Sequence, residues 1–430
     1  MHYPWWQIIF FAIGIITFIA AIAVLFFPIA AGPEDITCTA DCPPVESPDF
    51  LKILATFLNC PISHGGQIKI LNNGDEFLEA LLNDFTHAEH SINLMAYIWE
   101  DGDMSDRLLS ALTKKLQEGV TVRVMLDAFG ALHSPRAKFS EFKKMGGKVG
   151  IFHALSIAPW NLSHTHKRNH RRAITIDGRI GYLGGIAVAD KWLGNAANKG
   201  QWRDMMFRVV GTMALSVQGA FAELWTGKTG ELLTDPDSFP VTENEDTSVT
   251  YVPLFSSPIR DTLLLEKFLY VSFLGARQRI YITSPYFLPD KALRRLLQQK
   301  ASEGVDVRIL IPNKLNDTPE VHYASRFFYK RLMEAGIKLY EYQPCFIHSK
   351  YSAIDGQWAI IGSANMDNRS RKINAEFVFG VANADFTKKI EQTFFTDCTK
   401  ADEIAMEEWV HRSLWNRLRE LFAQLFIKQY

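Results

Sequence analysis

Residues 170–185 read HRRAITIDGRIGYLGG, and residues 348–363 read HSKYSAIDGQWAIIGS. They align without a gap at an offset of 348 − 170 = 178, and both contain His-x-(Arg or Lys)-x4-Asp-Gly-x5-Gly. One such pattern in a chain of 430 residues is weak evidence, but two copies in register point to an internal duplication. A strand and helix rhythm repeats around each copy. HSINLMAYIW (90–99) is strand-like, DRLLSALTKKLQEG (106–119) has apolar positions at helical spacing, and VTVRVMLDAFG (120–130) reads as a buried strand. QRIYITSPYF (278–287), KALRRLLQQKASEG (291–304) and VDVRILIPN (305–313) repeat that order. Strands alternating with helices predict an α/β fold whose sheets are mostly parallel, with helical crossovers. The halves are placed at 65–245 and 246–400.

In a strand, residues i and i+2 share a face. His170 with Arg172, and His348 with Lys350, therefore point in pairs at one ligand. Asp177 and Asp355 lie seven positions after each His, at the opposite parity, and begin an Asp-Gly turn. They read as structural or orienting residues. Upstream, HTHKRNH (164–170) raises a metal reading, but no cysteine or carboxylate cluster nearby completes a four-ligand set. The segment NLSHTHKRNH (161–170) reads better as a basic rim that attracts anions. A formal net charge of −1 argues against a protein whose main task is coating nucleic acid.

The chain resembles the phospholipase D superfamily, in particular its bacterial cardiolipin synthase branch, over roughly residues 65 to 400. The resemblance rests on NNGDEFLEALL (72–82), INLMAYIW (92–99), QWRD (201–204), ITSPYFLPD (282–290), GVDVRILIP (304–312), YEYQP (340–344) and HSKYSAIDGQWAIIGSANMDNRS (348–370). It implies two phospholipase D-like halves packed around one shared active site, with neither metal nor other cofactor. It also implies a two-step reaction. One histidine attacks phosphorus, and the other protonates the leaving alcohol and then deprotonates the incoming one. Charge on the equatorial oxygens calls for fixed cations and donors. Arg172 and Lys350 are the expected clamps, helped by Ser363 and Asn365. Family members hold each imidazole through a downstream carboxylate. Glu376 is assigned to His348, 376 − 348 = 28 positions on, and Asp204 to His170. The first half departs from the family pattern at Arg172, where Lys is usual, and at Ala187, where the second half has Asn365. By analogy His170 is the nucleophile and His348 the general acid/base, although the better-formed second motif leaves the reverse open.

The expected activity is transfer of a phosphatidyl group, with phosphatidylglycerol as the substrate. A hydrolytic phospholipase D, a membrane-anchored nuclease of the same mechanism and a non-catalytic scaffold are the alternatives. Residues 8–31, IIFFAIGIITFIAAIAVLFFPIAA, carry no charge and only Thr17 as a polar side chain. Such a run suffices for a transmembrane helix, so residues 1–31 are expected to be an anchor and 32–64 a Pro- and acid-rich linker. A cleaved signal peptide is the alternative, but its apolar region is shorter and preceded by basic residues. The first basic residue after the run is Lys52, which favours a body on the periplasmic side of a bacterial inner membrane. There Cys38 and Cys42 have the option of pairing, with Cys60 competing. The last stretch, 401–430, is expected to be an amphipathic helix, with Leu414, Leu418, Leu421 and Leu425 on one face. It suits either a membrane interface or the protein core.

Overall fold

Apolar runs without polar alternation form the central strands, because a strand covered by helices on both faces buries every side chain. The computed structural model describes residues 4–7, 9–15, 35–154, 166–241, 248–257 and 263–424. Helix α1 (Pro48–Leu58) is followed by β1 (Ser63–His64), β2 (Gln67–Asn72), α2 (Asn73–Thr86), β3 (Ser91–Ala96), α3 (Asp103–Gln117), β4 (Thr121–Asp127), α4 (Arg136–Lys144) and β5 (Lys148–Phe152). Then come β6 (Ala173–Ile176), β7 (Ile180–Gly184), β8 (Trp202–Arg203), β9 (Met205–Val210) and α5 (Thr212–Thr229). The second half contains β10 (Thr250–Ser256), α6 (Leu264–Leu274), β11 (Arg279–Thr283), α7 (Lys291–Ser302), β12 (Asp306–Pro312), α8 (Pro319–Glu334), β13 (Lys338–Tyr342) and β14 (Phe346–Ile347). It continues through β15 (Tyr351–Ile354), β16 (Trp358–Gly362), α9 (Asn368–Lys372), β17 (Glu376–Ala382), α10 (Ala384–Cys398) and β18 (Ala401–Glu403). Helices α11 (Met406–Val410) and α12 (Leu414–Ala423) close the described chain.

The first sheet has the order β2-β9-β7-β6-β3-β4-β5, and the second β1-β10-β17-β16-β15-β11-β12-β13-β18. Without β1 and β18 the two orders coincide, so the duplication seen in the motifs extends to topology. The sheets are mixed, which corrects the expectation of mostly parallel ones. Only β3–β4, β4–β5 and their counterparts β11–β12 and β12–β13 run parallel within them. The reason lies in the two Asp-Gly pairs. Asp177 (φ 52) and Gly178 (φ 60) join β6 to β7, and Asp355 (φ 53) and Gly356 (φ 65) join β15 to β16. Consecutive residues at positive φ make a turn whose twist suits antiparallel strands. The strand following each active-site histidine is therefore antiparallel to both neighbours.

The inner helices contribute Val217, Phe221 and Trp225 of α5, and Phe386, Ile390 and Phe394 of α10, to a core shared by the sheets. Outside the first sheet, Leu78 and Leu81 of α2 pack with Leu108 and Leu112 of α3. Outside the second, Leu269 of α6 packs with Leu293 and Leu296 of α7. The order is thus helix, sheet, helix, sheet, helix, and the pseudo-twofold relation brings the two motifs to one seam.

Two expected boundaries shift. The segment 32–64 is more than a linker: Ser47 caps α1 by accepting from Asp49 N–H, and Pro48 sits in the first turn. Phe50, Leu54 and Leu58, one turn apart, bury in the second-half core, with Phe50 against Trp358 at 5.3 Å. Each such side chain contributes about 1.5–3 kcal/mol. The segment 401–430 is not one helix either, because Ala401–Glu403 adds β18 to the second sheet. Most of the expected transmembrane run lies outside the described residues. Among the described residues no helix is long and apolar enough to cross a membrane. All five cysteines are free thiols.

Candidate active site

Each histidine is carried to the seam by a short parallel bridge to the other half. Ala375 N–H donates to Arg168 O and His170 N–H to Ala375 O, both at 2.9 Å. On the other side β14 runs parallel to β8, and His348 N–H donates to Arg203 O at 2.7 Å. The residue after each acceptor strand is a carboxylate. His170 Nδ1 therefore lies 2.9 Å from Glu376 Oε1, and His348 Nδ1 lies 2.6 Å from Asp204 Oδ2. This crosses the expected pairing, in which each carboxylate served the histidine of its own half. Asp204 and Glu376 remain equivalent positions: Gly184 pairs with Met206 and Gly362 with Val378, which places both acids two residues earlier. The bridges at the seam, not distance along the chain, decide the partner.

An ionised carboxylate only accepts, so Asp204 places the His348 proton on Nδ1 and leaves Nε2 its lone pair, and Glu376 does the same for His170 when it is ionised. Glu376 is held from both oxygens, by Ser363 Oγ on Oε2 and by Ser370 Oγ on Oε1 at 2.7 Å. Ser363 is thus committed to the carboxylate and does not serve as a free oxygen clamp. Asp204 uses different donors: Trp192 Nε1 on Oδ2 at 2.9 Å and Met205 N–H on Oδ1 at 2.8 Å. This accounts for one departure in the first motif. Gly185 stands where the second half has Ser363, and a Cβ there would sit 2.2 Å from Asp204 Oδ1. The indole takes over the hydroxyl's task. Trp192 and Ser370 escaped the sequence reading; Ser370 lies within the recognised HSKYSAIDGQWAIIGSANMDNRS run, whereas Trp192 had no signal.

The two cations occupy matching positions. Arg172 Nη1 donates to His170 O at 2.7 Å, and Lys350 Nζ donates to His348 O at 2.6 Å. Arg172 Nε and Nη2 are buried with no hydrogen-bond partner among the described residues, as is Asn365 Oδ1. Lys350 Nζ also lies 3.1 Å from His348 Nε2. A buried guanidinium with free donors needs an anion, and a phosphodiester supplies one. Tyr97 flanks His170 with ring centroids 5.0 Å apart, and Trp202 flanks His348 at 5.2 Å.

Burial, followed by the charges of Arg172 and Lys350, holds His170 well below the usual imidazole range. Burial and Lys350 bring His348 to about 3, against the opposing pull of Asp204. Burial alone would raise Asp204, but the His348 and Lys350 charges outweigh it and the carboxylate lies below its ordinary value. Glu376 differs: burial lifts it to about 7, despite its serine donors and Arg172. Burial brings Lys350 down to about 7. The charges of each half thus act on the histidine of the other.

Asp177 accepts from the N–H groups of Glu89, His90 and Ser91 at 2.7–2.8 Å, and Asp355 from those of Arg277, Gln278 and Arg279 at the same distances. Both pin the start of a central strand and stand apart from the histidines. Asp127, at the end of β4, accepts from Asn169 N–H at 2.8 Å and pairs with Arg168 at 3.3 Å. Arg168 is therefore a buried structural cation rather than part of an open basic rim; residues 155–165 lie outside the described residues. Among the described residues no group of three or more His, Cys, Asp or Glu is arranged to hold a metal.

Residues 271–398 match the family model described as cardiolipin synthase, PLD-like domain. The chain is 33% identical over 367 residues to a cardiolipin synthase of Geobacillus kaustophilus (strain HTA426), covering 85% of this chain and 72% of the relative. It is 31% identical over 380 residues to a cardiolipin synthase of Listeria monocytogenes serotype 4a (strain HCC23), covering 88% and 78%. Among solved structures, the phosphatidylserine synthase of Haemophilus influenzae Rd KW20 superposes with a TM-score of 0.68 at 14% identity, covering 88% of this chain and 98% of that one. The polyphosphate kinase of Porphyromonas gingivalis gives a TM-score of 0.51 at 15% identity, over 80% of this chain and 49% of that one. The likeness to those structures concerns the fold. With two paired imidazoles and two cations at one buried seam, and with relatives alike over most of their length, the chain belongs to the cardiolipin synthase family of the phospholipase D superfamily and is a phosphatidyltransferase.

Proposed function

We propose that the chain condenses phosphatidylglycerol into cardiolipin through a phosphohistidine on His170. His170 Nε2 attacks phosphorus and the P–O bond to the headgroup glycerol breaks, while His348, which takes up a proton on Nε2 as the anionic substrate binds, gives that proton to the leaving oxygen. The hydroxyl oxygen of a second phosphatidylglycerol then attacks phosphorus, the P–N bond breaks to release His170, and His348 takes the hydroxyl proton. Arg172 and Lys350 hold the equatorial oxygens. The crossed imidazole–carboxylate pairs carry this reading. Asp204, the carboxylate that stays ionised, sits on His348 and favours the imidazolium that an acid/base must become. The burial of the site supports transfer over hydrolysis: His170, Arg172, His348 and Lys350 are 2–6% exposed, so water is excluded until an alcohol arrives.

The anchor is part of the same proposal. Residues 8–31 cross the inner membrane and the body lies on the periplasmic side, next to its lipid substrate. The described helical residues of that run present Phe10 and Phe11 outward, at 72% and 74% exposure. Purified protein given labelled phosphatidylglycerol is expected to release glycerol and form cardiolipin, with a trapped label on His170. Phosphatidic acid without a dimeric lipid would replace the proposal by hydrolysis, and a label on His348 would reverse the histidine roles.

A further inference from the structure

Helix α12 is mounted inside out. Its face toward the protein buries only Ala423 and Glu420: Glu420, 1% exposed, pairs with Arg412 at 2.8 Å and Arg326 at 3.6 Å, and Gln424 just past the helix donates from Nε2 to Ala324 O at 3.0 Å. Arg412 and Arg326 stack on buried Trp409. The outer face is apolar: Leu414, Trp415, Leu418 and Leu421 are 72%, 62%, 49% and 57% exposed. These positions follow the i, i+1, i+4, i+7 spacing of one helical stripe. An ordinary surface helix turns such a stripe toward the core, and here buried ion pairs hold it outward.

We infer that this stripe is seated in the lipid–water interface, as the surface through which the body meets its substrate. Two features select lipid over a second copy of the chain. Arg412 is neutralised by Glu420, which leaves Arg417 and Arg419 as surplus positive charge beside the stripe; neither has a carboxylate partner among the described residues. Arg419 stacks on Trp415 at 5.2 Å, an aromatic and cation pair suited to the headgroup level. The helix also leads to the site. Arg419 donates to Tyr323 of α8 at 3.2 Å. Just before α8, Asp317 accepts from Tyr286 at 2.6 Å, and the Tyr286 ring lies 6.3 Å from that of His348. Helix α8 thus meets α12 at Tyr323 and begins two residues after Asp317, the partner of Tyr286. The choice of an anionic phospholipid surface rests on the function proposed above.

The test is collisional quenching. The full-length chain is reconstituted in phosphatidylcholine–phosphatidylglycerol vesicles with acyl-brominated lipid, alongside Trp415→Phe. Subtracting the two emissions isolates Trp415, because the other tryptophans cancel. Strong quenching of the difference emission is expected, and an unquenched one overturns the inference. Quenching that is absent at high protein density and emerges only as protein is diluted in the bilayer also overturns it, in favour of a second copy. Leu418→Ser with Leu421→Ser is expected to keep the melting temperature and kcat but raise KM severalfold at low surface concentration of lipid; an unchanged KM counts against the inference. Quenching requires no turnover, so an inactive but quenched protein would refute the proposed reaction and leave this surface standing.

Discussion

Asp204→Asn tests the crossed pairing. Asp204 is fully buried, and its Oδ1 accepts Met205 N–H at 2.8 Å. The asparagine oxygen must keep that bond, so the amide nitrogen takes the place of Oδ2. That atom faces two donors, Trp192 Nε1 at 2.9 Å and His348 Nδ1 at 2.6 Å. His348 responds by moving its proton to Nε2, which removes the lone pair that accepts the alcohol proton. The loss of a charge-assisted bond is worth about 1.5–3 kcal/mol and the unpaired indole about 1–2 kcal/mol more. Together these are about 3–5 kcal/mol, or a fall in kcat of roughly 10²- to 10⁴-fold.

The assay distinguishes the two steps by leaving group. With a phosphatidyl ester of nitrophenol, departure needs no proton, so Asp204→Asn forms the phosphoenzyme within a few-fold of the normal rate and then stalls. Glu376→Gln, which disturbs the nucleophile His170, is slow with either ester. Asp204→Asn within about twofold of full activity would refute the reasoning. Rescue of Glu376→Gln but not Asp204→Asn by the activated ester would exchange the histidines' roles.

Gly185→Ala places a methyl group 2.2 Å from Asp204 Oδ1 at a position without positive φ, so kcat is expected to fall at least tenfold while the protein still folds by circular dichroism. Asp177→Ala removes the acceptor of three N–H groups and is expected to cost about 3 kcal/mol in denaturant unfolding, with kcat of the folded fraction retained. Burial holds Lys350 at about 7, so the empty site loses this cation as pH rises through 7; kcat/KM is expected to fall there more steeply than kcat, because bound phosphate restores the charge. Arg172→Lys places its amine where Lys350 already reaches its own histidine's carbonyl, and substantial activity should remain, whereas Arg172→Met should have almost none.

The duplication was legible because it is written in local patterns: two histidine motifs, two Glu-Gly helix ends and two apolar strand runs. Gly119 (φ 90) and Gly304 (φ 93) do stop equivalent helices. Strand direction was misread, although the Asp-Gly pairs carried the signal for antiparallel hairpins. Helix α1 was missed because Cys, Pro and acidic residues precede it, and its capping serine and one-turn apolar spacing were passed over. The histidine partners were not legible. Asp204 and Glu376 were found as residues, but their assignment depends on bridges between residues 169 and 375, and between 346–347 and 202–203. No local pattern encodes pairing across that distance. Trp192 was beyond reach for the same reason: its indole meets a carboxylate twelve residues away only after the chain has folded around Gly185.

The crossed arrangement makes each half depend on the other. Each half supplies one histidine, one cation and one carboxylate, and the carboxylate acts on the other half's histidine. A change in one half therefore tunes the chemistry of the other. In the first half, Gly185 leaves room for Asp204 and Trp192 donates to it, while the His348 and Lys350 charges hold it below its ordinary value beside His348. In the second, two serines surround a Glu376 lifted to about 7, which leaves His170 with a partner on the edge of neutrality. An imidazole beside a full negative charge holds a proton better than one beside a carboxyl near neutrality. On the proposed mechanism this difference suits His348 to proton transfer and His170 to nucleophilic attack, and it arises from the burial and neighbouring charges of the two carboxylates. Arg172 fits the same logic: its charge cannot be lost at any working pH, whereas Lys350 stands near its titration point beside the group that must exchange protons.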